Sequence, residues 1–392
     1  AIVWIEKDKK LYGLNSSGPA PKNISIEKIK DLGLDKIPPY GPLPISVPGA
    51  VEGWSALHKK FGKFEFAKLF DDAINYAENG FPVSELIAYY LNRSSEIFKN
   101  YKNFQKVWMP NGVTPKKGDI FKNPLLAQNY RDIASSYGEA FYRGKIADDI
   151  VKSINDEGGF YSPSDLSNFK SEWIEPVSSN YRGYDIWELP PNGQGIAALQ
   201  ILNILENYDL SSLKFGSSEY INLFTEAKKL AYEDRAKYYA DMRFSNIPVD
   251  ILISKEYAEK RNKLISVKDT LKTIDSPNLE DGDTIYLTVA DEYGNMISLI
   301  QSNYRGMGSG IVPDNTGFML QDRGEMFSLD PQHKNSLQGG KRPFHTIIPA
   351  FITKNGNPLV SFGVMGGAMQ PQGHGGAGWR CGWLHPVGLW LG

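Results

Sequence analysis

The feature that most restricts the fold of this chain is an apolar, helix-forming stretch near its middle. The sequence YRGYDIWELPPNGQGIAALQILNILENYDL, residues 181–210, predicts a strand, a proline-glycine turn and a long helix. Almost no polar face is left on that helix, because apolar side chains recur at Ile196, Leu199, Ile201, Leu202 and Leu205. A helix that is apolar all round is buried, so it belongs inside a layered domain of helices and strands.

The order of the remaining elements indicates an α+β architecture. Residues 1–14 predict a hairpin, and an amphipathic helix is expected at about 218–239 with Ser218 as its N-cap. Helical periodicity dominates from about 50 to 160, with helices at 84–98, 123–137 and 145–156. After residue 284 the pattern changes to strands, which are predicted at 284–290, 295–301, 316–320, 346–353 and 358–362.

Composition narrows the classes of partner. The 392 residues carry a net charge of −2, so no basic excess is available for nucleic acid or for an anionic membrane surface. One cysteine, Cys381, excludes an internal disulfide, and the five scattered histidines predict neither a structural metal nor a cofactor site. We find no apolar run of membrane-spanning length and no leader segment, which favours the cytoplasm, although the start looks incomplete.

Three short stretches carry residues suited to catalysis. Thr284 opens a strand after the acidic turn Glu280-Asp281-Gly282-Asp283, and a threonine becomes a nucleophile when a base, such as its own freed α-amine, lies beside it. In FGVMGGAMQPQGH the pair Gly366-Gly367 leaves backbone N–H groups accessible to an oxyanion. In GGKRPFHTIIPAFI a basic turn leads to His345 and Thr346. Taken singly, an ordinary hairpin and an ordinary tight turn are the commoner explanations.

In their joint order these stretches are much more specific. The run DTIYLTVADEYGN, then GMGSGI, GKRPFHTIIPA and GVMGG, resembles the small-subunit half of the gamma-glutamyltranspeptidase family of N-terminal-nucleophile hydrolases. The preceding half agrees through VPGAVEGW, GFYSPSDL, PPNGQGIAALQILNILE and EAKKLAYEDRAKYYAD. The resemblance covers residues 1–374 and implies an αββα sandwich with extra helices in the large-subunit part.

The resemblance also implies roles for individual residues. Thr284 falls on the position of the nucleophile, which the precursor exposes by cutting itself between Asp283 and Thr284. Ser302 falls on a hydroxyl that contacts the nucleophile, and Gly366 and Gly367 fall on the oxyanion pair. Residues 1–283 would form the large subunit and 284–374 the small one, paired into a dimer of heterodimers. The substrate would be a small amide, and the acceptor water or an amine.

Several positions depart from the residues with which the family binds a γ-glutamyl group. Ser17 stands where the family has a substrate-binding arginine, and Met326 stands where it has the aspartate that pairs with the α-amine. His345 and Thr346 replace the usual serine pair. Tyr304 lies near an expected asparagine, although a shift of one residue would place Asn303 there.

An unpaired substrate charge in a closed site is costly, so these departures argue against glutathione and favour an acylase-like branch. Arg323, or alternatively Arg305, could then meet a carboxylate on the acyl group, while a solvated surface charge is the competing interpretation for both. A true γ-glutamyl transferase or hydrolase and a non-catalytic family member stay open as alternatives.

The two ends of the chain also differ from the family pattern. Family members carry a helical segment before the hairpin and a substantial stretch after QPQGH, so we expect the protein to have further residues at both ends. The last 18 residues, GGAGWRCGWLHPVGLWLG (375–392), contain three tryptophans and six glycines but no Lys, Ile or Asn. We therefore expect this tail not to be native to the fold.

Overall fold

The computed structural model describes residues 1–214, 216–266 and 283–381. The chain divides into two compact units. The first, called the sheet unit, comprises residues 1–13, 173–301 and 344–392, and the second, called the helical unit, comprises 14–172 and 302–343.

The strands and helices of the described residues are numbered in chain order. The strands are β1 (Ile2–Ile5), β2 (Lys10–Asn15), β3 (Phe81–Pro82), β4 (Ile120–Phe121), β5 (Glu172–Ile174), β6 (Val177–Tyr181), β7 (Tyr184–Glu188), β8 (Asp283–Ala290), β9 (Met296–Tyr304), β10 (Ala350–Lys354) and β11 (Asn357–Phe362). The helices are α1 (Ile26–Asp31), α2 (Ala50–Phe61), α3 (Asp71–Asn79), α4 (Glu85–Phe98), α5 (Phe104–Trp108), α6 (Pro124–Ser135), α7 (Glu139–Arg143), α8 (Lys145–Asp156), α9 (Pro163–Ser167), α10 (Gly195–Leu205), α11 (Ser218–Tyr238), α12 (Val249–Leu252), α13 (Lys255–Asn262) and α14 (Gln370–Cys381).

Two sheets form the centre of the sheet unit. One has the strand order β5-β2-β1-β9-β8 and the other the order β11-β10-β7-β6. They face each other through a shared apolar cluster that includes Trp4 of the first sheet and Phe351 of the second. Ser298 of β9 also links them, because its hydroxyl donates to Phe362 O (3.0 Å) and accepts from Ala350 N (3.1 Å).

Helix α10 lies on the second sheet, as its sequence predicts. Every residue from Gly195 to Leu205 is buried, and the cluster around the helix includes Ile186 of β7 and Ile352 of β10. Helices α11 and α14 pack against α10. Burying each large aliphatic side chain of α10 stabilises the fold by about 1.5–3 kcal/mol, which explains why this segment is the core of the unit.

Helix α14 approaches α10 closely through glycine. A Cβ atom at Gly378 would lie 2.9 Å from Leu202 Cδ1, so only glycine allows this spacing. Residues 375–381 of the tail expected to be foreign thus continue α14, and residues 382–392 lie outside the described part of the chain.

The helical unit has a core of its own. Apolar side chains of α2, α6, α7 and α8 pack together with Ile311 and Leu320 of the segment that follows β9. Several helices begin at side-chain caps, as at Asn123, whose Oδ1 accepts a hydrogen bond from Leu126 N (3.1 Å) at the start of α6. Within the described residues no helix is long and apolar enough to cross a membrane.

Most predicted elements are confirmed, and three predictions differ from the structure. The hairpin at 1–14 and the helices at 84–98, 123–137 and 145–156 are present within one or two residues. The N-cap of α11 is Ser217 rather than Ser218, since Ser217 Oγ accepts from Tyr220 N (3.3 Å).

The segment 316–320 is an irregular loop instead of a strand. Its Gly317 adopts φ +78°, and the side-chain amide of Asn123 binds Gly317 O (2.7 Å). Asn129 similarly binds Thr316 O (2.9 Å), so side chains take the place of a neighbouring strand. The strand predicted at 346–353 begins only at Ala350.

Candidate active site

Thr284 lies at the second position of β8 and is 3% exposed. Because side chains alternate along a strand, Thr284, Tyr286 and Thr288 share one face of β8. The odd-numbered residues, such as Ile285, share the other face. The second face is the exposed one, with Ile285 60% exposed. Of Asp283 the structure describes the backbone, and the acidic turn at 280–282 lies outside the described residues.

The face that carries Thr284 is turned toward β11. Thr288 Oγ1 hydrogen-bonds to the hydroxyl of Ser361, and a side chain at Gly363 would collide with the ring of Tyr286. A step of two residues back along β8 therefore corresponds to a step of two residues forward from Ser361. Thr284 lies a further two residues back along the same face of β8.

Gly366 and Gly367 form a tight turn between β11 and α14. Their φ values are +133° and +54°, which residues with a Cβ atom rarely adopt. Met369 N donates to Gly366 O (3.2 Å), closing a single 3-10 turn over Gly367–Met369. Consecutive backbone N–H groups in such a turn can form an anion-binding concavity, the chemistry that an oxyanion hole requires.

The amide of Gln194 brings two of the predicted site residues together. Gln194 is fully buried immediately before α10, and its Nε2 donates to both Thr346 O (2.6 Å) and Gly367 O (2.9 Å). His345 is adjacent, and its backbone N donates to Asn192 O (2.9 Å) in the proline-glycine turn. The predicted pair at 345–346 and the predicted oxyanion glycine are thus held by one side chain.

Two residues of α11 complete this arrangement. Arg235 Nη1 donates to Gln194 Oε1 (2.6 Å) and to Ala368 O (3.0 Å). Tyr232 donates its hydroxyl to Ala368 O (2.7 Å), and its ring lies 3.8 Å below the guanidinium of Arg235. The sequence interpretation missed Gln194, Tyr232 and Arg235. All three lie in stretches that resemble the family, PPNGQG and EAKKLAYEDRAKYYAD, so the polar residues of those stretches were the available clue.

A buried acid–base pair lies behind the same turn. His374 Nδ1 and Glu188 Oε1 are 2.6 Å apart, and both side chains are fully buried between α14 and β7. Burial raises the pKa of Glu188, and the neighbouring His374 opposes that rise. The pair anchors the start of α14 to the end of β7, and the sequence analysis assigned it no role.

The helical unit contains four of the six predicted substrate-binding residues, whereas His345 and Thr346 belong to the sheet unit. Arg323 lies in a 3-10 turn over Arg323–Met326 and is 1% exposed, so the interpretation of Arg323 as a solvated surface charge is wrong. Its guanidinium lies 4.7 Å from the centroid of the Tyr304 ring, a cation–π contact. Burial lowers the pKa of Arg323 to about 10.

Tyr304 holds an unusual backbone conformation. Its φ of +80° is rare for a bulky residue and costs on the order of 1–3 kcal/mol. Tyr304 N donates to Ser302 Oγ (2.8 Å), which helps to hold this conformation at the end of β9. The predicted contact of Ser302 with the nucleophile stays a prediction.

Arg305 is engaged elsewhere. It forms a two-pronged ion pair with Glu325, with Nε–Oε2 at 2.7 Å and Nη2–Oε1 at 2.5 Å. Asp322 is fully buried beside these residues, and burial raises its pKa well above the usual range. Of the two candidate arginines, Arg305 is therefore the one with a two-pronged carboxylate partner.

The two positions that depart most from the family supply no charge. Ser17 donates through N and Oγ to Asn15 Oδ1 (2.9 and 2.6 Å), and Ser17 O accepts from Arg342 Nε (2.7 Å). Met326 O accepts from Asn335 Nδ2 (2.7 Å). No cluster of metal-ligating side chains occurs among the residues that the structure describes.

The fold and the sequence both define the class of this protein. Its facing antiparallel sheets with helices on the second are those of the N-terminal-nucleophile hydrolases, as expected, and solved structures of that class match it. The sequence model of the gamma-glutamyltranspeptidase family matches residues 1–385, and the chain belongs to that family. It is an enzyme of the gamma-glutamyltransferase and acylase type.

Three relatives illustrate the range of the family. The crystal structure of cephalosporin acylase from Bacillus halodurans is 42% identical, with a TM-score of 0.89 over 95% of this chain and 69% of that one. The glutathione hydrolase-like YwrD proenzyme of Bacillus subtilis is 37% identical over 95% of this chain and 70% of its own length. The oxamate amidohydrolase proenzyme of Klebsiella pneumoniae is 32% identical over 92% of this chain and 68% of its own length.

Proposed function

We propose that this protein is a self-processing amidohydrolase or acyltransferase in which Thr284 is the nucleophile. The observation that supports the proposal is the position of Thr284, which is buried at the start of β8, on the face that contacts β11 through Thr288 and Tyr286. The family resemblance adds Gly366 and Gly367 as the anion-binding turn, so the two groups that acyl transfer needs, a nucleophile and oxyanion donors, are both proposed.

Processing and turnover use the same hydroxyl. In processing, Thr284 Oγ attacks the carbonyl carbon of Asp283. The C–N bond between Asp283 and Thr284 breaks as the hydroxyl proton of Thr284 moves to the nitrogen, and water hydrolyses the resulting ester. The α-amine freed on Thr284 then serves as the base. In turnover the α-amine takes the proton of the Thr284 hydroxyl as Oγ attacks the substrate carbonyl. The α-amine then passes this proton to the departing amine, and the ester that remains on Thr284 is cleaved by water or by an amine.

The oxyanion formed in each attack needs donors that are fixed in advance. Gly366 N–H and Gly367 N–H are the proposed donors, since residues with a Cβ atom rarely adopt the backbone conformations of this turn. Loss of one such donor in acyl-transfer enzymes costs about 10²–10³ in kcat. Neither a metal nor a cofactor is required by these steps.

The proposed substrate is an amide whose acyl group carries a carboxylate. Arg323 is a buried cation in the loop that the resemblance places facing the substrate. Ser17 and Met326 offer no charge for the α-carboxylate and α-amine of a γ-glutamyl group. Two relatives are named for amides of a related kind, a cephalosporin acylase and an oxamate amidohydrolase, and oxamate carries its carboxylate on the acyl carbon.

A glutathione hydrolase is the second candidate, because one relative is named glutathione hydrolase-like. The two candidates differ in what the acyl group must carry. A glutaryl amide has a carboxylate but no α-amine, whereas a γ-glutamyl amide has both. Comparison of glutaryl-p-nitroanilide with γ-glutamyl-p-nitroanilide therefore separates them, and faster turnover of the γ-glutamyl compound would favour the second candidate.

Intact-mass spectrometry of purified protein tests the nucleophile. We expect pieces of 283 and 109 residues (392 minus 283) from the parent and a single uncut chain from Thr284→Ala. Thr288→Ala is the matched control, because Thr288 lies on the same face of β8 without touching the cleavage bond, and it should be cut normally. Hydrolysis by Thr284→Ala at the parental rate would refute the assignment. The paired-subunit assembly can be read from the same sample by native mass spectrometry.

A further inference from the structure

A group of buried and partly buried polar side chains lies behind the glycine turn and takes no part in the steps above. It comprises Gln194, just before α10, and Tyr232 and Arg235, which are one turn apart on α11. Gln194 Nε2 donates to Gly367 O (2.9 Å), while Arg235 Nη1 and Tyr232 OH both donate to Ala368 O (3.0 and 2.7 Å). Three donors thus converge on two successive carbonyls.

The two carbonyls belong to the peptide planes that directly follow the oxyanion pair. Gly366 and Gly367 have φ of +133° and +54°, and glycine on its own moves freely among many such conformations. Fixing the planes at Gly367 and Ala368 removes most of that freedom. The direction of the Gly367 N–H is then set by side chains that never approach the reacting atoms.

The three side chains also stabilise one another. Arg235 Nη1 donates to Gln194 Oε1 (2.6 Å), which directs the amide nitrogen of Gln194 toward Gly367 O. The Tyr232 ring lies 3.8 Å from the guanidinium carbon, so the arginine is held from below as well. In a buried network of this kind each member depends on the others, because an unmatched polar group is costly.

We propose that Gln194, Tyr232 and Arg235 are positioning residues for the oxyanion hole of this enzyme. The inference rests on the proposed function, since it takes Gly366 and Gly367 as the oxyanion donors. Oxyanion stabilisation depends on donors that are fixed before charge develops, so loosening the turn lowers the rate of acylation and leaves substrate affinity nearly unchanged. A merely structural role would lower stability without this selective loss.

The test compares two tyrosines that each donate one partly buried hydrogen bond. Tyr232→Phe removes the donor to Ala368 O, and Tyr257→Phe removes a hydroxyl that donates to Asp234 Oδ1 (2.9 Å), away from the turn. Both full-length variants are assayed with glutaryl-p-nitroanilide, with rates normalised to titrated nucleophile so that incomplete processing does not count. Thermal midpoints are recorded in parallel.

We expect kcat to fall about tenfold in Tyr232→Phe, with KM within about twofold of the parent, because the turn is loosened but no oxyanion donor is lost. Tyr257→Phe should keep the parental kcat at a similar thermal midpoint. Arg235→Met should lose more than Tyr232→Phe, since one guanidinium binds both Gln194 and Ala368. Arg235→Lys should recover part of the rate.

Three outcomes overturn the inference and can be told apart. Equal kcat values for Tyr232→Phe and Tyr257→Phe, with Thr284→Ala inactive, would overturn the positioning role and leave the proposed function standing. Parental activity in Thr284→Ala would overturn both. A loss in Tyr232→Phe that appears in KM alone would also contradict the inference, because a looser oxyanion hole acts on the transition state.

Discussion

The substitution Arg323→Met removes the buried cation that we propose for the carboxylate of the acyl group. Methionine keeps much of the apolar length of the arginine, and it can still pack against the ring of Tyr304. The loss should therefore be mainly one of charge. Arg323 is charged at neutral pH, because burial lowers its pKa only to about 10.

The size of the effect follows from burial. Arg323 is 1% exposed, and burial also raises the pKa of neighbouring Asp322, which favours its neutral carboxyl form. A carboxylate bound there would form a desolvated charge pair. Removing one member of such a pair costs about 3–5 kcal/mol. At 1.4 kcal/mol per factor of ten, kcat/KM for a glutaryl amide should fall between about 100-fold and about 4,000-fold.

The assay pairs glutaryl-p-nitroanilide with valeryl-p-nitroanilide, which has the same chain length but no carboxylate. Arg323→Met should lose activity on the first compound and keep or gain activity on the second. Arg305→Met serves as the control, because Arg305 is already bound to Glu325 and should affect both substrates equally. If Arg323→Met lowered both substrates by the same factor, the residue would be structural and the carboxylate argument would be refuted.

Three further predictions concern stability and the turn. Leu202→Ala, in the core of α10, should lower the free energy of unfolding by about 2–5 kcal/mol in urea titrations of the uncut Thr284→Ala chain, whereas exposed Leu86→Ala should change it by less than about 0.5. Gly367→Ala should reduce kcat about 100-fold, because a Cβ atom is strained at the φ of +54° that Gly367 adopts. Gly376→Ala should leave kcat unchanged, because a Cβ atom there would meet open space. Equal effects of the two substitutions on kcat would exclude backbone strain as the cause. Burial raises the pKa of Asp322 in the folded state, so the contribution of Asp322 to the free energy of unfolding declines as pH rises above about 4, by up to about 1.4 kcal/mol per pH unit. Asp322→Asn should flatten this decline. An unchanged dependence of the free energy of unfolding on pH would contradict the prediction.

The sequence was informative wherever one property decided the structure. Helix α10 could be predicted as interior because its apolar side chains leave no face for water, and burial of all its residues bears this out. Thr284 could be singled out from motif order, and the alternation of β8 then follows from strand geometry. The fold class followed from the same motifs through the family resemblance.

Other features depended on contacts that no local pattern encodes. Arg323 was recognised as a candidate, but a charged residue in a loop is usually exposed, and its burial comes from the packing of the helical unit around it. The loop at 316–320 has strand-like composition, yet Asn123 and Asn129, distant in sequence, bind its carbonyls. Gln194 and Arg235 are polar residues of the kind normally found at a surface, so their stretches could be matched to the family but their burial could not be predicted.

The amide of Gln194 has a consequence for protein engineering. By holding Thr346 O and Gly367 O at once, it joins the pair that we predict to bind substrate, 345–346, to the turn that we propose as the oxyanion hole. Library variants at 345 and 346 that shift the backbone by a few tenths of an ångström would pull on that shared amide. Selections for a new substrate at these two positions should therefore return slower enzymes, and compensating changes should accumulate around position 194 rather than in the substrate pocket.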